Sequence, residues 1–182
     1  MRRFSIVALL AVACQNPGKE PEGFAEIDKH VDYNQFRPVI IAVMPVKAPM
    51  SQLKNEVRKE VYRLLPAKKY SPFTLQTVDA HVSSDGKWDP GSLDWDATLS
   101  VSISRWKPVR GSNYFAADGT AQLTHKTGEV LWTCRFYRHN FEVPMKTGQL
   151  DHAQAAHDIA RFLVGNEPGK ERFPDCPPLP RE

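Results

Sequence analysis

Ala97-Thr98-Leu99-Ser100-Val101-Ser102-Ile103-Ser104 decides how this chain folds. Its apolar residues alternate with hydroxyl-bearing ones, and a period of two puts each set on its own face of a strand. One buried face and one wet face is the pattern of an antiparallel strand. After the Gly111-Ser112-Asn113 loop, Phe115, Ala117, Ala121 and Leu123 predict the same inward face on a second strand. Lys126-Thr127-Gly128-Glu129 reads as a hairpin, with Gly128 supplying the positive φ of a bulged turn. Val130, Trp132, Cys134 and Phe136 then lead back along a third strand that runs on to Val143.

Upstream, Pro38-Val39-Ile40-Ile41-Ala42-Val43-Met44-Pro45-Val46 is a continuous apolar run between prolines, which suits a strand buried on both faces. Pro49 to Leu65 switches to helical spacing, with Met50, Leu53, Val57, Val61 and Leu64 on one stripe and Pro66 as the stop. Tyr70 to Val82 predicts another strand, with Phe73, Leu75 and Thr77 on one face. The turn-rich Ser83–Gly91 passage has room for a short helix at most. Asp151 reads as the cap of a last helix whose buried stripe is Ala153, Ala156, Ala160 and Leu163. The sum is β-α-β-β-β-α: an α/β (α+β) domain with a mixed sheet and helices packed on it.

The ends differ from the middle. Met1-Arg2-Arg3 is a short basic start, and Phe4 to Ala13 is an apolar or small run about half the length needed to span a bilayer. It stops at Cys14, preceded by the small residues Ala11 and Ala13. Gln15 to Phe36 is polar, with Pro17, Gly18, Pro21 and Gly23 near its start, and reads as a spacer in which Phe24 and Ile27 are placed to dock on the domain. Gly165 to Glu182 carries five prolines and can be neither helix nor central strand. Four parts follow: a signal peptide over 1–13, an anchor and flexible spacer over 14–36, the α/β binding domain over 37–164, and a Pro-rich tail over 165–182.

Composition narrows the function. The 182 residues include 24 Lys and Arg against 21 Asp and Glu, and removal of 1–13 with Arg2 and Arg3 lowers the formal charge of +3 by two. A nearly neutral protein lacks the basic field that phosphate backbones require, so no nucleic-acid partner is expected. Three cysteines without close spacing supply neither a disulfide framework nor a metal site, and no cofactor is expected.

The start of the chain resembles a bacterial lipoprotein signal, with Cys14 as the lipidated residue and Ala11 where Leu is more usual. Gln15 after the cysteine implies, by that resemblance, the outer membrane, with the body facing the periplasm. The Val39–Val46 strand, the helix after it and the meander ending in Thr127-Gly128-Glu129-Val130-Leu131-Trp132 look like a group of envelope lipoproteins. That group includes the curli-secretion-channel lipoprotein, the penicillin-binding-protein activator lipoprotein B and a neisserial surface-lipoprotein family, all similar in fold to the TolB N-terminal domain. Asp94-Trp95-Asp96-Ala97 matches the step by which they enter the central strand. The passage between the second and third strands is shorter than in those relatives. The resemblance implies a periplasm-facing binding or assembly module, whose partner is an envelope protein or a further copy of the chain.

Candidate chemistry is sparse. His152 and His157 are five apart, about 140° on a helix, where a metal pair wants three or four. Asp94 and Asp96 beside Trp88 and Trp95 are the residues of an alternative reading, a periplasmic glycan hydrolase with paired carboxylates; Asp-rich turns before strands are also ordinary punctuation. A carrier of small apolar ligands would need a cavity that Ala-rich packing disfavours. Trp88, Trp95, Trp106 and Tyr114, with Arg105 as rim, form the candidate recognition patch, since Trp and Tyr bring contact area at low entropic cost. With Cys14 lipidated, Cys134 and Cys176 remain as a pair in an oxidising compartment. Either they bond, closing a loop of about 40 residues worth about 3–4 kcal/mol, or both stay thiols.

Overall fold

The computed structural model describes residues 24–28 by their backbone, and residues 36 and 38–164. Cys14, Cys176, the signal segment and the tail over 165–182 lie outside the described residues, and so does the choice between a Cys134–Cys176 bond and two thiols.

The elements are β1 (Phe24–Asp28), β2 (Ile40–Val43), α1 (Ser51–Leu64), a 3-10 turn (Leu65–Lys68), β3 (Ser71–Pro72), α2 (Leu75–Ala80), β4 (Ala97–Pro108), β5 (Tyr114–His125), β6 (Val130–Glu142), β7 (Met145–Lys146), β8 (Gln149–Leu150) and α3 (His152–Val164). A six-stranded mixed sheet has the order β1-β6-β5-β4-β2-β3, and β7-β8 is a separate hairpin. β2 runs parallel to both β3 and β4, whereas β4, β5, β6 and β1 form antiparallel pairs. The α+β class with a mixed sheet stands as read from the alternation.

One face carries the core. Ala97, Leu99, Val101 and Ile103 are buried there with Ala117, Ala121, Leu123, Trp132 and Phe136, and α1 and α3 lie over them. The α1 stripe buries Leu53, Val57, Val61 and Leu64 as its spacing predicts, each side chain worth about 1.5–3 kcal/mol when fully buried. Asp151 caps α3, its Oδ1 accepting the Ala153 and Gln154 N–H groups at 3.1 and 3.3 Å. The α3 stripe is wider than expected: Ala155, Ile159 and Phe162 join Ala156, Ala160 and Leu163, while Ala153 is exposed in the first turn. Glu60 of α1 joins the two helices, its Oε2 lying 2.9 Å from His157 Nδ1 and 2.8 Å from Arg63.

Because side chains of β2 alternate, Ile41 and Val43 enter this core while Ala42 and Met44 point the other way, onto Val78 of α2. The sheet is therefore covered on both faces at β2, as its unbroken apolar run predicts. Arg58 closes that side, donating through Nε and one terminal nitrogen to the Val43 carbonyl at 3.1 and 3.0 Å and through the other to Asp79 at 2.6 Å.

Two segments differ from the sequence reading. Tyr70–Val82 holds only a two-residue strand before it turns into α2, because Thr74 caps the helix by accepting the Thr77 N–H at 3.1 Å; the Phe73–Leu75–Thr77 alternation has no sheet behind it. Phe24–Asp28, inside the stretch read as spacer, is the edge strand on β6. The Lys126–Glu129 hairpin forms as read, with Gly128 at φ 90.

Candidate functional site

β-Bulges decide where the candidate residues fall. Between Ile103 and Arg105 the β4–β5 register shifts, and an extra residue there reverses the alternation. Trp106, which strict alternation would put on the hydroxyl face, turns into the core instead, stacked on Phe115 at 5.0 Å between centroids and close to Phe141 and His152. Its indole N–H has no partner among the described residues. A second shift, opposite Ala117 and Gly119, accompanies a positive φ at Arg138 and lets both Phe136 and Phe141 face inward.

The expected aromatic patch is consequently two groups. Trp88 and Trp95 meet edge to face at 6.1 Å, with Phe73 and His81 beside Trp88, over the α2 side of β2. Trp106 and Tyr114 are at the other end of β4, roughly 30 Å away at about 3.3 Å per residue. Tyr114 is exposed, and Arg105 is half-buried with Asp118 at 3.8 Å. Sequence proximity joins these residues; a twelve-residue strand separates them.

Asp96 has a structural task. Its Oδ2 accepts the N–H groups of both Val39 and Ile40 at 2.9 Å, and Lys126 lies 3.7 Å from its Oδ1. The Asp96 N–H donates to the Ile40 carbonyl and its carbonyl accepts the Lys126 N–H. Partial burial by itself would raise the pKa, but the two backbone donors, with Lys126 and His125, outweigh it and hold the carboxyl below the usual carboxylate range. Asp94, two residues away, is exposed. Glycosidase chemistry needs one carboxyl kept protonated as the acid, and the shift of Asp96 is away from that role.

Glu60 is lowered too: burial opposes this, but hydrogen bonds from Arg63 and His157 and their charges prevail. The sign follows from linkage. Both folded-state values lie below the ordinary 3.8 and 4.5, so the stability they contribute is whole above those values. It is lost as pH falls through the lower folded ones. Thermal midpoints should hold steady down to about pH 5 and then drop, less steeply in Glu60→Gln; parallel curves for the two proteins would contradict the assignment.

Two spaces remain. An apolar one of about 20 Å³ between α1, α3 and the sheet, beside Tyr70 and Trp132, holds no more than a water-sized body and does not serve a ligand carrier. The other, of about 290 Å³, is an open groove. Its walls are Met44–Lys47, which continue β2 along β4, and Gly86; Ser100, Ser102, Thr120 and Gln122 form its polar side. These side chains are the wet half of the alternation, legible as a solvent face but not as a groove wall, because the wall depends on how Met44–Lys47 continues past β2. Among the described residues no group of His, Cys, Asp or Glu is arranged to hold a metal ion.

No family model matches this chain, and no curated protein matches it. Among solved structures it is similar to the PelC dodecamer from Paraburkholderia phytofirmans, at 13% identity and a TM-score of 0.50, over 78% of this chain and 94% of that one. It also aligns with lipoprotein GNA1162 from Neisseria meningitidis at 17% identity and a TM-score of 0.43, over 56% and 81% of the two chains. The likeness to PelC is one of fold.

Proposed function

We propose that this protein is a non-catalytic lipoprotein of the cell envelope, held on the periplasmic side of the outer membrane by an acylated Cys14, and that its domain is an assembly module that binds an envelope protein or copies of itself. The observation that carries this reading is the apolar run from Phe4 to Ala13 ending at Cys14. It stands ahead of a domain whose described helices include none long and apolar enough to cross a membrane. Several acyl chains, at about 0.8 kcal/mol per buried methylene, make such an anchor lasting. The tether turns a search in three dimensions into one along a surface and raises the effective concentration of partners there. The commitment of Asp96 to backbone N–H groups supports the non-catalytic part. Self-association is favoured over a foreign partner because the PelC structure that shares the fold is a dodecamer.

Cross-linking in intact cells, followed by sizing of the captured species, tests the reading. A ladder of multiples of this chain, or one recurrent envelope protein, is the expected result. Monomer alone, together with sugar-bond cleavage by the purified protein, would replace it with the hydrolase.

A further inference from the structure

β1 carries information about orientation. It runs antiparallel to β6, with Phe24 opposite Tyr137 and Asp28 opposite Thr133. Its N-terminal end therefore points along β6 toward Glu142, which pairs with Tyr114 where β5 begins. Ten residues separate Phe24 from Cys14, a reach of at most about 35 Å at 3.3–3.6 Å per residue. If Cys14 is acylated, the link to the anchor starts from the strand end that faces the β4–β5 loop and the β7–β8 hairpin.

That end has an unusual surface. Thr147 and Gly148 both take positive φ, 50 and 80, which makes the tight turn that matches strand twist. The hairpin sets Met145 directly across from Leu150, and its base is closed by the Asp151 N–H on the Pro144 carbonyl. Met145 is 62% exposed, Leu150 39% and Tyr114 41%, three of the five large exposed hydrophobics among the described residues. The Val143 N–H on the Asn113 carbonyl ties the hairpin root to the β4–β5 loop.

The charges around these side chains are net positive, three cations against the carboxylates of Glu142 and Asp151. Lys107, Arg110 and Lys146 are exposed. The two nearby acids keep their charge but are oriented by neutral donors, Glu142 by the Asn113 amide at 2.8 Å and Asp151 by the start of α3. Elsewhere among the described residues cations are paired, Lys126 with Asp96 at the opposite end and Lys87 with Asp85 beside the groove. Apolar and aromatic tips with three cations beside them that make no ion pair among the described residues suit one environment, the boundary between acyl chains and anionic headgroups, where each Lys or Arg adds roughly fivefold to binding.

We propose that the protein lays this end, with Tyr114, Met145 and Leu150 as apolar tips and Lys107, Arg110 and Lys146 as headgroup ligands, on the anionic phospholipid surface to which it is anchored. The inference rests on the acylated Cys14 of the proposed function. It turns the Trp88–Trp95 group and the polar groove away from the lipid, toward partners.

The test uses the mature acylated protein in vesicles of phosphatidylethanolamine and phosphatidylglycerol with brominated acyl chains. Met145→Trp, or Leu150→Trp as a second reporter, adds a fluorophore to the four native tryptophans. Quenching of the added signal by half or more is expected, against none for Lys87→Trp, and combined Lys107→Ser, Arg110→Ser and Lys146→Ser should abolish it. Protein that floats with the vesicles while both hairpin reporters stay unquenched would overturn the orientation and leave the anchor standing. Protein that does not float would overturn both.

Discussion

Gly119→Ala is expected to destabilise the domain by about 3 kcal/mol, the upper part of the range for overpacking a core. A Cβ built on Gly119 would lie 2.3 Å from the Phe136 ring and 2.6 Å from the Ser102 carbonyl oxygen. The ring is fully buried and wedged against Phe141 and Phe162, at 6.2 and 5.6 Å between centroids, so it cannot swing aside without opening the core. The carbonyl belongs to the central strand and cannot move alone. Thermal unfolding should show a loss of about 10 °C for a domain of this size. Adding Phe136→Leu should restore part of the loss, a coupling expected of residues in contact. An unchanged midpoint in Gly119→Ala would mean that the ring does not sit over the glycine.

Asp96→Ala should cost about 2–3 kcal/mol, the loss expected when a charged acceptor of hydrogen bonds is removed. Two N–H groups, of Val39 and Ile40, share its Oδ2 at 2.9 Å, and the same residue joins the start of β2 to the β5–β6 hairpin through Lys126. Asp96→Asn keeps an acceptor but loses the charge, and should fall between the two. A hydrolase makes a different prediction: loss of turnover in Asp96→Asn with its melting temperature intact. Denaturant titration of the three proteins separates the cases.

These residues also show what was legible in the chain. β4 and β5 could be read because alternation has one physical cause, a sheet with one wet face, and the Gly128 hairpin then pairs β6 with them, although Leu131 and Thr133 of β6 are buried as well. The α1 stripe was legible for the same reason at helical period. The turn of Trp106 into the core was not, since nothing in Ile103-Ser104-Arg105 marks the bulge that reverses the pattern. α2 was missed because its six residues bury only Val78, too few for a period to register, and its Thr74 cap looks like any strand threonine. β1 was missed because a five-residue edge strand is specified by the open edge of β6 rather than by its own Phe-Ala-Glu-Ile-Asp. The candidate site suffered most: its aromatic members are near in sequence, and whether they meet depends on strand length and bulges.

The claim on which the function rests is a lipid bond at a single sulfur. Growth with radiolabelled palmitate, followed by capture of the wild-type chain and of Cys14→Ser, tests it directly. Label in the wild type, none in Cys14→Ser, and partition of only the wild type into the detergent phase is the predicted result. An unlabelled wild type recovered from the aqueous phase would contradict it.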